Sequence, residues 1–276
     1  MKTILVPTED HDAMPAVLEA ALLMAKSFDS YLEGFAIRPM AGTYVTLEPV
    51  SSLALTGAFD GEAAKHAREM FEDFMKSHNL AQGAQEPATL SYGWSLADAV
   101  DDSFLGSYGR IFDLVVLGRP GRAPQNPRMA PLEAALFESG RPVLVVPPGK
   151  PQSIGRNVLV AWNGSTEQAY TNSYAMPLLR KAEQVTVLAV EGAMTPGPNA
   201  EQAAQHLRRN GVKATALTVK AESATAGEAI LDHCSKMGCD LLVKGAYTHS
   251  RLRQMIFGGT TRHILANASV PVFSAH

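Results

Sequence analysis

Short runs of consecutive apolar residues punctuate the chain: ILV from Ile4, LVVL from Leu114, VLVV from Val143, VLVA from Val158, VTVLAV from Val185 and LLV from Leu241. They are apolar on successive positions and do not alternate with polar residues. That is the signature of strands covered on both faces, as in a parallel sheet. Between the runs of the second half, apolar residues recur at helical spacing. The pattern predicts helices over Ser165–Ala182, Ala200–Asn210, Ala224–Met237 and Thr260–Ala268. Ser165 followed three residues later by Gln168 reads as a capping box, and Gly211 stands where a helix end favours glycine. Strands alternating with helices predict an α/β chain with doubly wound parallel sheets and helices on both faces.

The pattern occurs twice. TILVPTED from Thr3 is matched by NVLVAWNG from Asn157, DLVVLGRPG from Asp113 by DLLVKGAYT from Asp240, and RPVLVVPP from Arg141 by VPVFSAH from Val270, in the same order. Two tandem Rossmann-like domains follow, each an open five-stranded parallel sheet. The Pro- and Gly-rich stretch PPGKPQSIGRN from Pro147 sets the boundary near residue 152, giving domains 1–152 and 153–276. The first copy predicts a helix over Gly61–His78. It also carries a segment over about residues 40–60 that is too long for an ordinary loop and either covers a ligand or packs as an arm.

Composition narrows the function classes. The 276 residues are 46% hydrophobic and 18% charged, enough apolar material for a substantial core. A net charge of −3 without a basic run argues against nucleic acid or a membrane surface as partner. No apolar stretch is long enough to span a bilayer. The acids in MKTILVPTEDHD read as the start of a helix after a first strand, not as part of a leader. The two cysteines make no disulfide framework, so a cytoplasmic protein is expected.

In a parallel sheet of this kind ligands collect at the carboxyl ends of the strands. Thr8 and Glu9 end the first strand of one copy, Trp162 and Asn163 that of the other, and Gly245 ends the fourth strand of the second copy. Gly258-Gly259-Thr260-Thr261 leads into a helix, whose free N–H groups and dipole attract an anion. Hydroxyls of Thr260 and Thr261, with His249, Arg251 and Arg262, suit a nucleotide phosphate chain. The plainer reading is a tight turn with no ligand. His233, Cys234 and Cys239 lack paired metal-ligand spacing and read as a surface histidine and buried thiols. Arg119, Arg122 and Arg128 line the first crevice, as a salt-bridge network or a partner contact. Nucleophile elbow, Walker loop and dinucleotide fingerprint are all missing from the sequence.

GAYTHSRLRQMIFGGTTRHIL from Gly245, followed by VPVF, resembles the universal stress proteins in their tandem two-domain form, and the resemblance runs through both copies. Nucleotide-binding members carry glycine, two residues, glycine, nine residues, glycine and Ser or Thr. Gly245 and Gly258 match the first and third glycines, while Thr248 and Gly259 replace the second glycine and the hydroxyl. The resemblance implies a stress-response protein that binds ATP or another adenine nucleotide, with or without Mg2+, in the second domain. The base would lie near Ala161, Trp162, Asn163, Ala189 and Val190. The phosphates would lie near Gly245, Thr248, His249, Arg251, Gly258, Gly259, Thr260 and Thr261. It also implies a binding switch with no catalytic residue and at most slow hydrolysis. The fifth strands would pair in an internal pseudo-dimer, with a homodimer left open. The first copy keeps Gly118 and Gly121 but has Pro131 and Glu133 where the cradle should be, so loss of nucleotide binding is expected there. Two rivals stand: a scaffold of the same fold that binds no nucleotide, and a small-molecule enzyme.

Overall fold

The computed structural model describes residues 1–38, 52–95, 100–221, 225–246 and 259–276. They form two compact units, Met1–Arg141 and Pro142–His276. In the first, the order is β1 (Thr3–Thr8), α1 (Met14–Phe28), β2 (Tyr31–Arg38), α2 (Ser52–Ser77), β3 (Ala81–Gln82), β4 (Ser91–Trp94), β5 (Val100–Asp101), α3 (Asp102–Tyr108), β6 (Leu114–Gly118) and α4 (Met129–Glu138). Its sheet runs β6-β1-β2-β4-β3, every pair parallel, with β5 pairing the far end of β2. Ile4, Leu5 and Val6 are fully buried at its centre, which accounts for the unbroken apolar run. The helix expected from Gly61 begins at Ser52, so part of the long segment is helical, while residues 39–51 lie outside the described residues. The acids after β1 do not open α1: Ala13 holds the N-cap position, the first turn has no acid, and Glu9 is used elsewhere.

The second unit holds β7 (Val143–Val146), β8 (Asn157–Ala161), α5 (Thr166–Leu179), β9 (Gln184–Val190), α6 (Ala200–Arg209), β10 (Ala214–Val219), α7 (Ala226–Lys236), β11 (Leu241–Val243), α8 (Gly259–Asn267) and β12 (Val272–Ser274). Its strands run β10-β9-β8-β11-β12-β7. The first five are parallel, and β7 runs antiparallel to β12 with Leu144 opposite Phe273.

Right-handed crossovers put α5 and α6 on one face of this sheet and α7 and α8 on the other. α5 packs over β8, β11 and β12, and α6 over β9 and β10. The side chains of β8 and β11 are buried, each large aliphatic one contributing about 2–3 kcal/mol. Gly211 takes a positive φ of 82° at the end of α6, and Asn199 and Thr225 form complete capping boxes on α6 and α7.

The two units repeat one device. Asp113, just before β6, accepts the backbone N–H groups of Lys2 and Thr3 at 2.5 and 3.2 Å. Asp240, just before β11, accepts those of Gly155, Arg156 and Asn157 at 3.0 to 3.1 Å, and the Ser153 hydroxyl at 2.6 Å. In both units the aspartate before the fourth-copy strand holds the entrance of the first.

Candidate functional site

The crevice of the second unit is set by register. Val160 of β8 lies opposite Val243 of β11, and Ala161 opposite Leu188 of β9. Ala161, Trp162 and Asn163 therefore leave the sheet between Gly245 on one side and Ala189 and Val190 on the other. Ala189 and Val190 are buried within β9. The Trp162 indole N–H donates to the Pro198 carbonyl at 2.8 Å, tying the ring to the loop before α6. The Asn163 side-chain oxygen accepts the Ser165 N–H at 3.1 Å, and its carbonyl accepts the N–H and hydroxyl of Thr195. Gly164 makes this turn at φ 79°, with space for an added Cβ blocked by the Thr195 carbonyl oxygen 3.0 Å away.

Gly245 lies against the first turn of α5. A Cβ there would stand 2.6 Å from the Gln168 nitrogen and 2.8 Å from its Cα, backbone atoms that cannot yield. Its N–H donates to Gln168 Oε1 at 2.7 Å. Gln168 is completely buried, and its Nε2 donates onward to Asn172 Oδ1 at 2.9 Å. The capping box expected at Ser165 is thus only half formed. Ser165 Oγ accepts the Gln168 N–H at 3.2 Å, but the Gln168 side chain is turned to Gly245 and Asn172.

Lys244 is 4% exposed, and its Nζ donates to the Gly245 carbonyl at 2.8 Å. Burial pushes its pKa down to about 8, with Glu167 opposing the shift. Lys244, Gln168 and Asn172 escaped the sequence reading. A lysine inside an apolar run was the visible signal for the first; the other two wear ordinary helical positions.

Of the phosphate candidates, Gly259 is exposed at the start of α8, Thr260 is half-buried and Thr261 is buried. Thr248, His249, Arg251 and Gly258 lie outside the described residues. Gly227 of α7 admits His263 of α8, whose Cβ would lie 3.0 Å from an added methyl. Cys234 and Cys239 are free, buried and hydrogen-bonded to each other; that bond raises the Cys234 thiol and lowers that of Cys239. His233 is half-buried, not at the surface, with Nδ1 donating to the Ala229 carbonyl at 2.8 Å. Among the described residues no group of three or more His, Cys, Asp and Glu is gathered to hold a metal ion.

The corresponding place in the first unit is filled by protein. Arg128, at the N-cap of α4, reaches Glu9 after β1 at 2.5 Å and grips both Asp102 oxygens at 2.6 and 2.7 Å. Burial raises the Glu9 pKa against the pull of Arg128, and burial lowers that of His11 beside it. The remaining cavity, lined by Glu9, His11, Gly118, Arg128 and Pro131, has a volume of only 10 Å3, the space of one water at most. Gly118 and Gly121 pack against Pro127 and Asn126 of their own loop. Of the three arginines, Arg128 forms the salt-bridge network, while Arg119 is half-buried and Arg122 exposed.

Comparison with known proteins finds similarity to one family. The model of the Universal stress protein family matches residues 155–275. A universal stress protein of Synechocystis sp. is 29% identical over 170 residues, covering 59% of this chain and 58% of that protein. The crystal structure of a universal stress protein from Archaeoglobus fulgidus DSM 4304 superposes with a TM-score of 0.74 at 15% identity, over 99% of this chain and 95% of the other. A structure described as a putative universal stress protein from Pseudomonas aeruginosa UCBPP-PA14 gives 0.55 at 16% identity, over 100% and 93%. At these identities the solved structures speak to the fold alone. No helix among the described residues is long and apolar enough to cross a membrane.

Proposed function

We propose that the chain is a member of the universal stress protein family, whose model matches residues 155–275, and that it is a cytoplasmic stress-response protein binding ATP or another adenine nucleotide in its second unit. The observation that carries this reading is the contrast between two equivalent places. In the first unit the ends of β1 and β6 are bridged over by Arg128, Asp102 and Glu9. In the second, Ala161 to Asn163 and Gly245 share adjacent strand ends, and an exposed Gly259 opens α8. A helix start with free N–H groups fits a phosphate. The Gly245 N–H is engaged by Gln168, so phosphate donors would come from the α8 start and from the residues 247–258. The base would lie beside Trp162 and Asn163. Magnesium, if bound, would come with the nucleotide phosphates. The protein would act by binding and release, offering a partner, or a second copy, a surface that depends on occupancy.

A second reading has a specific observation behind it. Gly245 is required by the backbone of α5 whether or not a ligand is present, as a scaffold that binds no nucleotide would have it.

A thermal-shift series with ATP, ADP and cyclic AMP, with and without magnesium, separates the two. A ligand of the native state at a hundredfold excess over Kd adds about 2.7 kcal/mol of stability. The expected outcome is a rise in Tm with one of these nucleotides that is lost in Gly258→Glu. No shift at millimolar nucleotide leaves the scaffold.

A further inference from the structure

α5 and α6 lie on the same face of the second unit but over different strands, which leaves an open groove of 690 Å3 between them. That volume is in the range of small-molecule sites. Trp162, Met176 and Ala203 contribute its apolar wall, and Arg180 and His206 are the ionisable residues that line it. Among the described residues no carboxylate lines the groove, so its field favours an anion.

Ser173, Gln202 and Asn210 are polar residues on its wall, and so is Asn172, which is 8% exposed. The direction of its amide follows from a chain of hydrogen bonds. A backbone N–H can only donate, so Gly245 fixes Gln168 with Oε1 toward it. Gln168 then presents Nε2 to Asn172, which must answer with Oδ1 at 2.9 Å. The Asn172 NH2 is left facing away from Gln168, and no described residue accepts from it. That NH2 is open to the groove, where a ligand oxygen can accept from it. Arg180 is bound to the Asn210 carbonyl through Nε and to the Asn210 side chain through Nη2, which leaves Nη1 for the groove.

We propose that this groove is a binding site for a small aromatic carboxylate, adjoining the crevice at the strand ends through Trp162. The ring lies along Trp162, Met176 and Ala203. The carboxylate accepts from the Asn172 amide in the positive field of Arg180 and His206. This assignment holds whether or not the protein binds nucleotide.

The test uses the full chain with Trp94→Phe, so that Trp162 is the sole fluorescent tryptophan, titrated with 4-phenylbutyrate and with the neutral 4-phenylbutanol. A saturable change in emission is expected with the acid at millimolar concentration or below. Binding of the alcohol should be at least about tenfold weaker, because the charge-assisted hydrogen bond is lost. Asn172→Leu should weaken the acid by a similar factor. Ser173→Phe, which fills the groove from an exposed position and puts no strain on the core, should abolish the response. Absence of a saturable change, equal binding of acid and alcohol, or a response that survives in Ser173→Phe would each overturn the proposal.

Discussion

An ammonium group buried beneath the strand ends leaves a signature in the pH dependence of stability. Lys244 titrates near 10.5 when unfolded and at about 8 in the fold. Below pH 8 both states hold the proton, and the fold bears the whole cost of burying the charge, about 3 kcal/mol. Between about 8 and 10.5 the unfolded chain binds the extra proton, so stability rises with pH across that window and the cost is gone above it. Met is similar in length and needs no hydrogen bond. Lys244→Met is therefore expected to be more stable than wild type at pH 7 by about 1–3 kcal/mol. The advantage should shrink across the window from about pH 8 to 10.5 and be gone above it, as read from urea unfolding at a series of pH values. The amino-acid pattern announces this only as a lysine inside an apolar run. LLVKGA reads as a strand because Leu241, Leu242 and Val243 are apolar on successive positions, and only the coordinates show that the lysine after them stays inside.

At the scale of elements, strands and helices of the second unit were legible almost to the residue, because each buried run is bounded by a cap or a glycine that does a single job. Asn199, Thr225 and Gly211 are such residues. Legibility failed where one residue serves two elements. Gln168 satisfies the pattern of a helix cap and spends its side chain on a strand end instead. Glu9 follows β1 as a helix-opening acid would and is drawn to Arg128 across the unit. Asp240 also joins elements distant in sequence, and its loss should be felt at the far end of its contacts. Asp240→Ala removes the acceptor for three backbone N–H groups before β8, at an expected cost of about 2–3 kcal/mol. Hydrogen exchange should quicken at residues 155–157 first; a uniform quickening would mean that the aspartate supports β11 and not the entrance of β8.

At the scale of the whole molecule, the sequence repeat correctly announced two units of one plan and a difference between them. The repeat in DLVV and DLLV reappears as one aspartate clamp in each unit. The missing cradle around Pro131 reappears as a crevice closed by an ion triad. What the repeat could not convey is the groove between α5 and α6, since it arises from where two helices come to rest on the sheet and not from any motif. The line from Gly245 through Gln168 to Asn172 makes that groove's polarity a matter of one atom. Gln168→Glu keeps an oxygen for the Gly245 N–H and removes the donor toward Asn172. Asn172 would then turn its NH2 to the new carboxylate and show its oxygen to the groove, exchanging nitrogen for oxygen with no change of shape. A pocket that selects acids in the wild type should then lose much of that preference, with 4-phenylbutyrate and 4-phenylbutanol drawing closer in affinity in the same fluorescence titration. The surface chemistry of the groove is in that sense written at the end of a strand on the other side of the helix.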